Sequence, residues 1–553
     1  MRAVGTAERG ELMSPDAAVG PALPVSTQVI VAGGGPVGLA AAVELGRRSV
    51  RCLVVEPRTS VSRARPRCKT INVRSMEHLR RWGIAGRLRE RAPLSPGWSQ
   101  DVVFCTSLAG RELSRFTGVL GLVYDGDRFP ELGQQAPQYV LEELLREAVG
   151  ELPACTLAAG ATVTDVEQDP GEVRVTITDG AGVRTVVAAS YLIGCDGPRS
   201  TVRERIGAAY TGDHALRPNF GMVFRAPGLW RHVRHGPAVH YWIINPDAPA
   251  LVGPLDPDDT WWIIAFGVDP DTGAREAGRI IDAAAGVPAG ATVLSTDPWT
   301  ARMQIVDRMR QGRVFLAGDA AHLNPPFGGH GLNTGLGDAV DLGWKIAATL
   351  DGWAGPRLLD SYETERRPIQ ERVIREATAN MRVTSPELVA ANLDDDDAAG
   401  ESARRAAGDR IQATKRAEFH ALDLVLDVRV APSPVIAGGD REGSAAAGAA
   451  GVPVAGALLP HAWLAPGRSL YDELGDGFTL LTADHGVPVD AITAAARSRG
   501  VPLRLLELGD RAPPWPALVL VRPDNYVAWA GNREPDDAGA LIDTVRGASA
   551  GGR

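Results

Sequence analysis

A run of mostly β-branched residues, Gln28 to Gly33 (QVIVAG), meets glycine abruptly. It gives way to an Ala- and Leu-rich stretch with helical spacing up to Arg48, and a second apolar run follows from Val50 to Val55. This pattern predicts a βαβ unit. Helical spacing recurs from Arg74 to Glu90 and from Tyr139 to Val149, whereas Val173, Val175 and Ile177 alternate as a strand that Val183 to Ile193 joins as partner. From Asn219 to Val268 the pattern changes to short β-rich segments (NFGMVFRAP, AVHYWIINP, TWWIIAFGV) separated by turn formers such as Pro246, Asp247, Pro254 and Asp256. An inserted sheet domain is the expectation. Arg313 to Ala317 is again a short apolar strand, and Gly331 to Leu350 a helix with one apolar side, so the first domain resumes after the insertion.

The organisation predicted is a leader over 1–27, the first part of an α/β domain over 28–205, an inserted β-sheet domain over 206–305, the α/β domain's second part with helices over 306–385, a helical and linker region over 386–455, and a terminal domain over 456–553. The run Asp394 to Asp397 reads as a solvated loop. Gly438 to Gly456, rich in Ala and Gly, reads as a linker. After it come a strand (Phe478 to Thr482), a helix (Pro488 to Arg499), a strand (Leu503 to Leu508), a hairpin (Ala517 to Ala530) and a helix (Asp536 to Val545). That order resembles a thioredoxin-like domain. No cysteine lies beyond Cys195, so this domain has no CxxC and is expected to be structural.

Composition narrows the function classes. A chain of 553 residues predicts two or three domains, and 44% hydrophobic with 23% charged residues is the make-up of a soluble globular protein. No apolar stretch is long enough for a membrane span, and charges among the first 27 residues (Arg2, Glu8, Arg9, Glu11, Asp16) argue against a secretory signal. A net charge of -9 disfavours nucleic acid or an anionic membrane as partner, leaving a small ligand. The five cysteines form no CxxC pair and no zinc-like cluster; neither a disulfide framework nor a metal site is expected, and a reducing cytoplasm suits both.

Candidate chemistry starts at Gly33-Gly34-Gly35-Pro36-Val37-Gly38, which follows a strand and opens a helix. The first glycine permits the tight turn, the second lets backbone amides approach a pyrophosphate, and the third lets helix and strand pack. The helix N-terminus adds partial positive charge. Glu56 ends the next strand, where a carboxylate accepts hydrogen bonds from an adenosine ribose. These residues point to a dinucleotide and leave FAD or NAD open. Two further segments bear on that choice by resemblance. Tyr191 to Arg203 (YLIGCDGPRSTVR) resembles the DG fingerprint of class A flavoprotein monooxygenases, the para-hydroxybenzoate hydroxylase type. Gly312 to His322 (GRVFLAGDAAH), continuing to Asn333, resembles their GD fingerprint. Phenol-type hydroxylases of this group carry the same thioredoxin-like tail.

The resemblance implies a Rossmann-like FAD domain of the GR2 type with an inserted, mainly β substrate domain. It also implies FAD as cofactor, NADPH or NADH as reductant, and dioxygen and an aromatic small molecule as partners. Cofactor-binding positions by this resemblance are Gly33, Gly35, Pro36, Val37, Gly38, Glu56, Arg67, Gln138, Val163, Asp196, Gly318, Asp319, Pro326, Gly329, Gly331, Leu332 and Asn333. On physical grounds Asp319, at a sheet edge, would bond a ribityl hydroxyl, or would otherwise cap a helix. Bare amides around Gly328, Gly329 and Gly331 would stabilise negative charge on the reduced flavin's pyrimidine edge. His330 stands where Gln is often expected and reads as solvent-facing or capping. Lys69, where some phenol hydroxylases have Asp, would stabilise a phenolate or an acidic group. His240 and Tyr241 are the catalytic candidates of the inserted sheet; strand alternation puts His240 and Trp242 opposite Tyr241, so only one set lines a pocket.

The implied reaction is ring hydroxylation of a phenol-like substrate through a flavin hydroperoxide. Baeyer-Villiger insertion or epoxidation, and a flavin-loaded binding protein without turnover, are the alternatives. A homo-oligomer is compatible with the chain.

Overall fold

The computed structural model describes residues 23–64, 70–124, 126–214, 217–325, 327–382, 388–390, 392–430, 432–438, 451–483, 486–509 and 513–548. Five parallel strands form the heart of an eight-stranded sheet, in the order Val314–Leu316, Arg184–Gly194, Ser26–Ala32, Cys52–Glu56, Cys155–Ala159. Strand Ser26–Ala32 is central because its Val29, Ile30, Val31 and Ala32 are buried on both faces, as a strand between two helical layers must be. Helix Pro36–Arg47 packs between this sheet and helix His330–Leu350, so the strand, helix and strand read from the sequence are one unit. The expected helix over Arg74 to Glu90 is instead two, Val73–Arg81 and Ala85–Arg91, broken at Gly83, whose φ of 77° no helix accommodates.

A second, seven-stranded sheet runs Thr292–Thr300, Pro218–Arg225, Thr260–Phe266, Ala250–Pro254, His240–Ile243, Val102–Cys105, Glu112–Phe116. Its last two strands come from the stretch that the sequence analysis counted with the first domain; Val102–Cys105 pairs in parallel with His240–Ile243. One face packs on helix Pro270–Ala285 through Tyr241, Ile243 and Val103. The other carries Phe104, Trp242 and Phe266 and meets Phe327 and helix Ala398–Phe419. Asp394 to Asp397 is more than a solvated loop: Asp397 caps that helix by accepting from Gly400 N–H at 2.8 Å, and Asp394 accepts from Thr106 of the sheet.

The terminal domain is a four-stranded sheet in the order Leu503–Glu507, Phe478–Thr482, Leu518–Val521, Val527–Gly531. The first two strands are parallel and the rest antiparallel, the arrangement of a thioredoxin-like fold. It docks on the first α/β domain through buried ions. Arg522 bonds Glu365 at 2.8 Å and Asp524 at 2.6 Å, and Lys345 bonds Glu365 at 2.8 Å. Among the described residues no helix is long and apolar enough to cross a membrane.

Candidate active site

Strand register builds the site. Ala32 lies beside Gly194 and Val55, and Gly194 beside Leu316. The strands' carboxyl ends therefore bring together Gly33, Glu56, Asp196 and Asp319, residues from three widely separated stretches of chain. The carboxyl ends of adjacent parallel strands are where open α/β sheets bind ligands. Gly33 has φ 99°, and a Cβ there would sit 2.3 Å from the carbonyl oxygen of Cys195, so any side chain would push the Gly33 turn away from the Tyr191 to Arg203 segment. At Gly38 a Cβ would lie 1.9 Å from Gly33 O, which is the close helix–strand packing expected of it. At Gly35 and Gly331, by contrast, a Cβ would meet nothing within 4 Å.

Those two open positions mark two helix N-termini. Helix Pro36–Arg47 starts on Gly35, and helix His330–Leu350 on Gly329; neither has a side-chain cap or an acidic residue in its first turn. Helices starting at Val73, Thr201, Pro270, Ala398 and Ala538 are capped by Asn72, Ser200, Asp269, Asp397 and Asp537, whereas those starting at Ala85, Gln138, Leu422 and Asp490 also lack a side-chain cap but do not begin on glycine. Uncapped amides and the helix dipole favour negative charge from outside the chain. Open cradles at both helix ends fit a group carrying a pyrophosphate at one end and an electron-accepting ring at the other. Val37 lies against Gly318 and joins the two turns.

The remaining cofactor candidates divide by what their side chains already do. Glu56 is buried; its carboxylate accepts from Gly34 N–H at 2.8 Å and from Arg58, which also reaches Glu142. Gln138 opens helix Gln138–Gly150, one turn before Glu142, whose charged form it favours. Asp196 accepts from Ser200 Oγ and from Val202 N–H at 3.1 Å; burial pushes its carboxyl up while those donors pull it down. Asp319 is exposed at the strand end, and Tyr210 donates to its main-chain oxygen. Asn333 is spent on structure. Its Oδ1 accepts from Asn72 N–H at 3.0 Å and its Nδ2 donates to Thr70 O and Gly329 O, tying the helix start to strand Thr70–Ile71. Leu332 packs on the main core. Val163 is buried there too, leaving only its main chain to offer a nucleotide. Arg67, Lys69 and Pro326 lie outside the described residues.

His330 differs from expectation. It is buried, not solvent-facing; its Nε2 has no hydrogen-bond partner among the described residues and packs against Gly328. Burial lowers its pKa to about 4. Tyr241 is also displaced from the role first given it: it belongs to the sheet face against helix Pro270–Ala285, and its hydroxyl donates to Gly236 O at 2.5 Å. His240 and Trp242 take the other face. There Trp242 stacks on Phe104 and on Phe327, with centroids 5.5 Å and 5.8 Å apart, and His240 lies edge-on to Trp262. Phe327 stands in the turn before helix His330–Leu350, so this aromatic face borders the second helix start.

Two groups were not found from the sequence. Asp338 is fully buried and holds the Gly318 turn: it accepts from Gly318 N–H at 3.1 Å, from Arg366 Nε at 2.8 Å, and bonds His322 and Gln370. Burial alone would raise its carboxyl, but Arg366 and His322 outweigh that and bring it to about 2. The second group is the Lys415–Glu418 pair of helix Ala398–Phe419. A lone Asp or Lys in a helical pattern carries no mark of burial; tertiary contacts decide it.

Comparison with known proteins agrees with this geometry. Residues 26–377 match the family described as FAD binding domain, and residues 452–548 the one described as aromatic-ring hydroxylase, C-terminal. A tetracenomycin B2 monooxygenase-dioxygenase of Streptomyces olivaceus is 32% identical over 94% of this chain and 98% of its own. The chain belongs to the FAD-dependent aromatic-ring monooxygenases. A 2,4-dichlorophenol 6-monooxygenase of Delftia acidovorans is 29% identical over 93% of this monooxygenase and 96% of its own chain. The solved structure of the rebeccamycin biosynthetic enzyme RebC with reduced flavin superimposes with a TM-score of 0.87 at 36% identity, covering 96% of this chain and 100% of that one. The dinucleotide read from Gly33 to Glu56 is thereby FAD.

Proposed function

We propose that this monooxygenase hydroxylates an electron-rich, hydroxylated aromatic ring, using NADPH or NADH and dioxygen. The observation that carries the reading is the meeting of the aromatic sheet face, Phe104 and Trp242, with Phe327 in the turn that leads into the uncapped helix start. An aromatic wall next to that helix end suits a flat ring held by stacking and apolar contact. The names of the relatives, one acting on tetracenomycin B2 and one on 2,4-dichlorophenol, support a phenol or fused-ring phenol as substrate class.

Bound FAD, with electrons from the nicotinamide cofactor, would supply dioxygen activation, one oxygen atom of dioxygen entering the ring and the other leaving as water. The chain's residues have the other tasks. Amides at Gly331 and Leu332 would face the pyrimidine edge and stabilise its charge. Gly35 and the start of helix Pro36–Arg47 would receive the pyrophosphate, and Asp319 a ribityl hydroxyl. The sheet wall would exclude water and set which ring carbon faces the flavin. His240 is the polar group on that wall closest in sequence to Trp242.

The test is turnover of the FAD-loaded protein with NADPH and labelled dioxygen, over a panel of single-ring and fused-ring phenols. One labelled oxygen in a ring hydroxyl per NADPH consumed is the expected result. Label in an ester would show insertion instead, and no substrate-stimulated NADPH oxidation would leave a flavin-binding protein without turnover.

A further inference from the structure

Helix Ala398–Phe419 lies outside both matched family segments, residues 26–377 and 452–548, yet it reaches the turn that precedes the flavin-facing helix. It does so with two ions. Lys415 is fully buried, and its Nζ donates to Glu418 at 2.9 Å and to Asn380 O at 2.8 Å, with the Trp242 ring centroid 4.5 Å away. Glu418 is buried as well, and the Gly328 amide lies close enough to its carboxyl to favour the charged form. Gly328 and Gly329 are both left-handed, with φ 80° and 68°, a turn that gathers successive amides into a concave anion-binding surface. A carboxylate of the chain itself thus stands beside one of those amides.

The consequence is electrostatic. A carboxylate on Gly328 sits a few residues from the amides at Gly331 and Leu332, and there it would oppose the negative charge that a reduced flavin develops. Lys415 cancels it at hydrogen-bond distance. A neutral pair also conserves the low-dielectric setting in which the uncapped amides act most strongly.

We propose that Lys415 and Glu418 form a positioning and charge-balancing pair that fixes the Phe327–Gly329 turn and sets the reduction potential of the bound flavin. The proposal rests on the reading of helix His330–Leu350 as the flavin-facing helix. Burial pushes the Glu418 carboxyl up against the pull of Lys415, so removing Lys415 lets Glu418 take a proton, whereas removing Glu418 leaves an uncancelled buried cation.

The experiment measures the two-electron potential of bound FAD in the wild-type holoenzyme and in Glu418→Gln, Lys415→Met and the double variant. Glu418→Gln should favour the reduced flavin by about tenfold or more, about 30 mV for two electrons. Lys415→Met should leave the potential unchanged or lower it, and the double variant should return to the wild-type value. A purely structural pair predicts otherwise. Equal shifts of one sign in both single variants, or no shift in Glu418→Gln, would overturn the proposal. Should the single variants lose FAD, a double variant that holds FAD at wild-type potential supports the pair, since a neutral replacement of both ions often folds as well. A double variant that also loses FAD contradicts it. The readout is independent of turnover: shifted potentials without ring hydroxylation would leave the pair standing and defeat the substrate reading, and hydroxylation without shifts would do the reverse.

Discussion

His330 shows how much of a residue's chemistry depends on packing beyond its own motif. The position was legible as the start of the helix, because the glycines around it mark a turn. Its burial was not, because that follows from Gly328 turning back over the imidazole, which local sequence does not reveal. With a pKa of about 4 in the fold and about 6.5 in the unfolded chain, His330 binds its proton only in the unfolded state between those values. Stability from this residue is complete above about pH 6.5 and falls as pH drops toward 4, by up to about 3 kcal/mol. His78, held low by burial and Arg74, acts with the same sign. Urea unfolding of His330→Gln at pH 7 and pH 5 should therefore show a smaller acid loss than the wild type; an identical loss would show that the imidazole is protonated in the fold.

At the level of elements, the strands and helices Pro36–Arg47 and His330–Leu350 were legible because period-2 and period-3.6 patterns and glycine turns are local. Val102–Cys105 was not recognised as part of the second sheet, since its partner His240–Ile243 lies far along the chain and parallel pairing leaves no hairpin turn to read. Helix Ala398–Phe419 is legible only as part of a helical and linker region, because its pattern of mostly Ala and charge gives no apolar face to place it. Asp338 makes the link between elements explicit: from helix His330–Leu350 it holds the Gly318 amide of the strand-end turn. Asp338→Asn keeps the shape but leaves the Arg366 guanidinium uncompensated, and breaking such a buried pair costs about 3–5 kcal/mol. The expected outcome is a lower thermal midpoint together with FAD affinity reduced at least about tenfold. Unchanged FAD affinity in a folded variant would place Asp338 outside the support of the site.

For the whole molecule, the terminal domain's order of elements was readable, but not how it is fastened. Arg522 is fully buried between Glu365 of the flavin domain and Asp524 of its own, and no composition argument singles it out among the chain's arginines. Arg522→Met should destabilise the protein by about 3–5 kcal/mol, because Asp524 loses its bonded cation and Glu365 keeps only that of Lys345. Calorimetry should then show the terminal domain unfolding apart from the rest; one undivided transition at the wild-type temperature would show that the apolar contacts suffice. Gly35, Asp319 and the start of helix His330–Leu350, far apart in sequence, would together serve one FAD. Titration of FAD into apoprotein tests it directly. The wild type should bind one FAD per chain, and Gly35→Val and Asp319→Ala, each folded as judged by circular dichroism, should each weaken binding at least about tenfold. Wild-type affinity in either folded variant would contradict the single shared site.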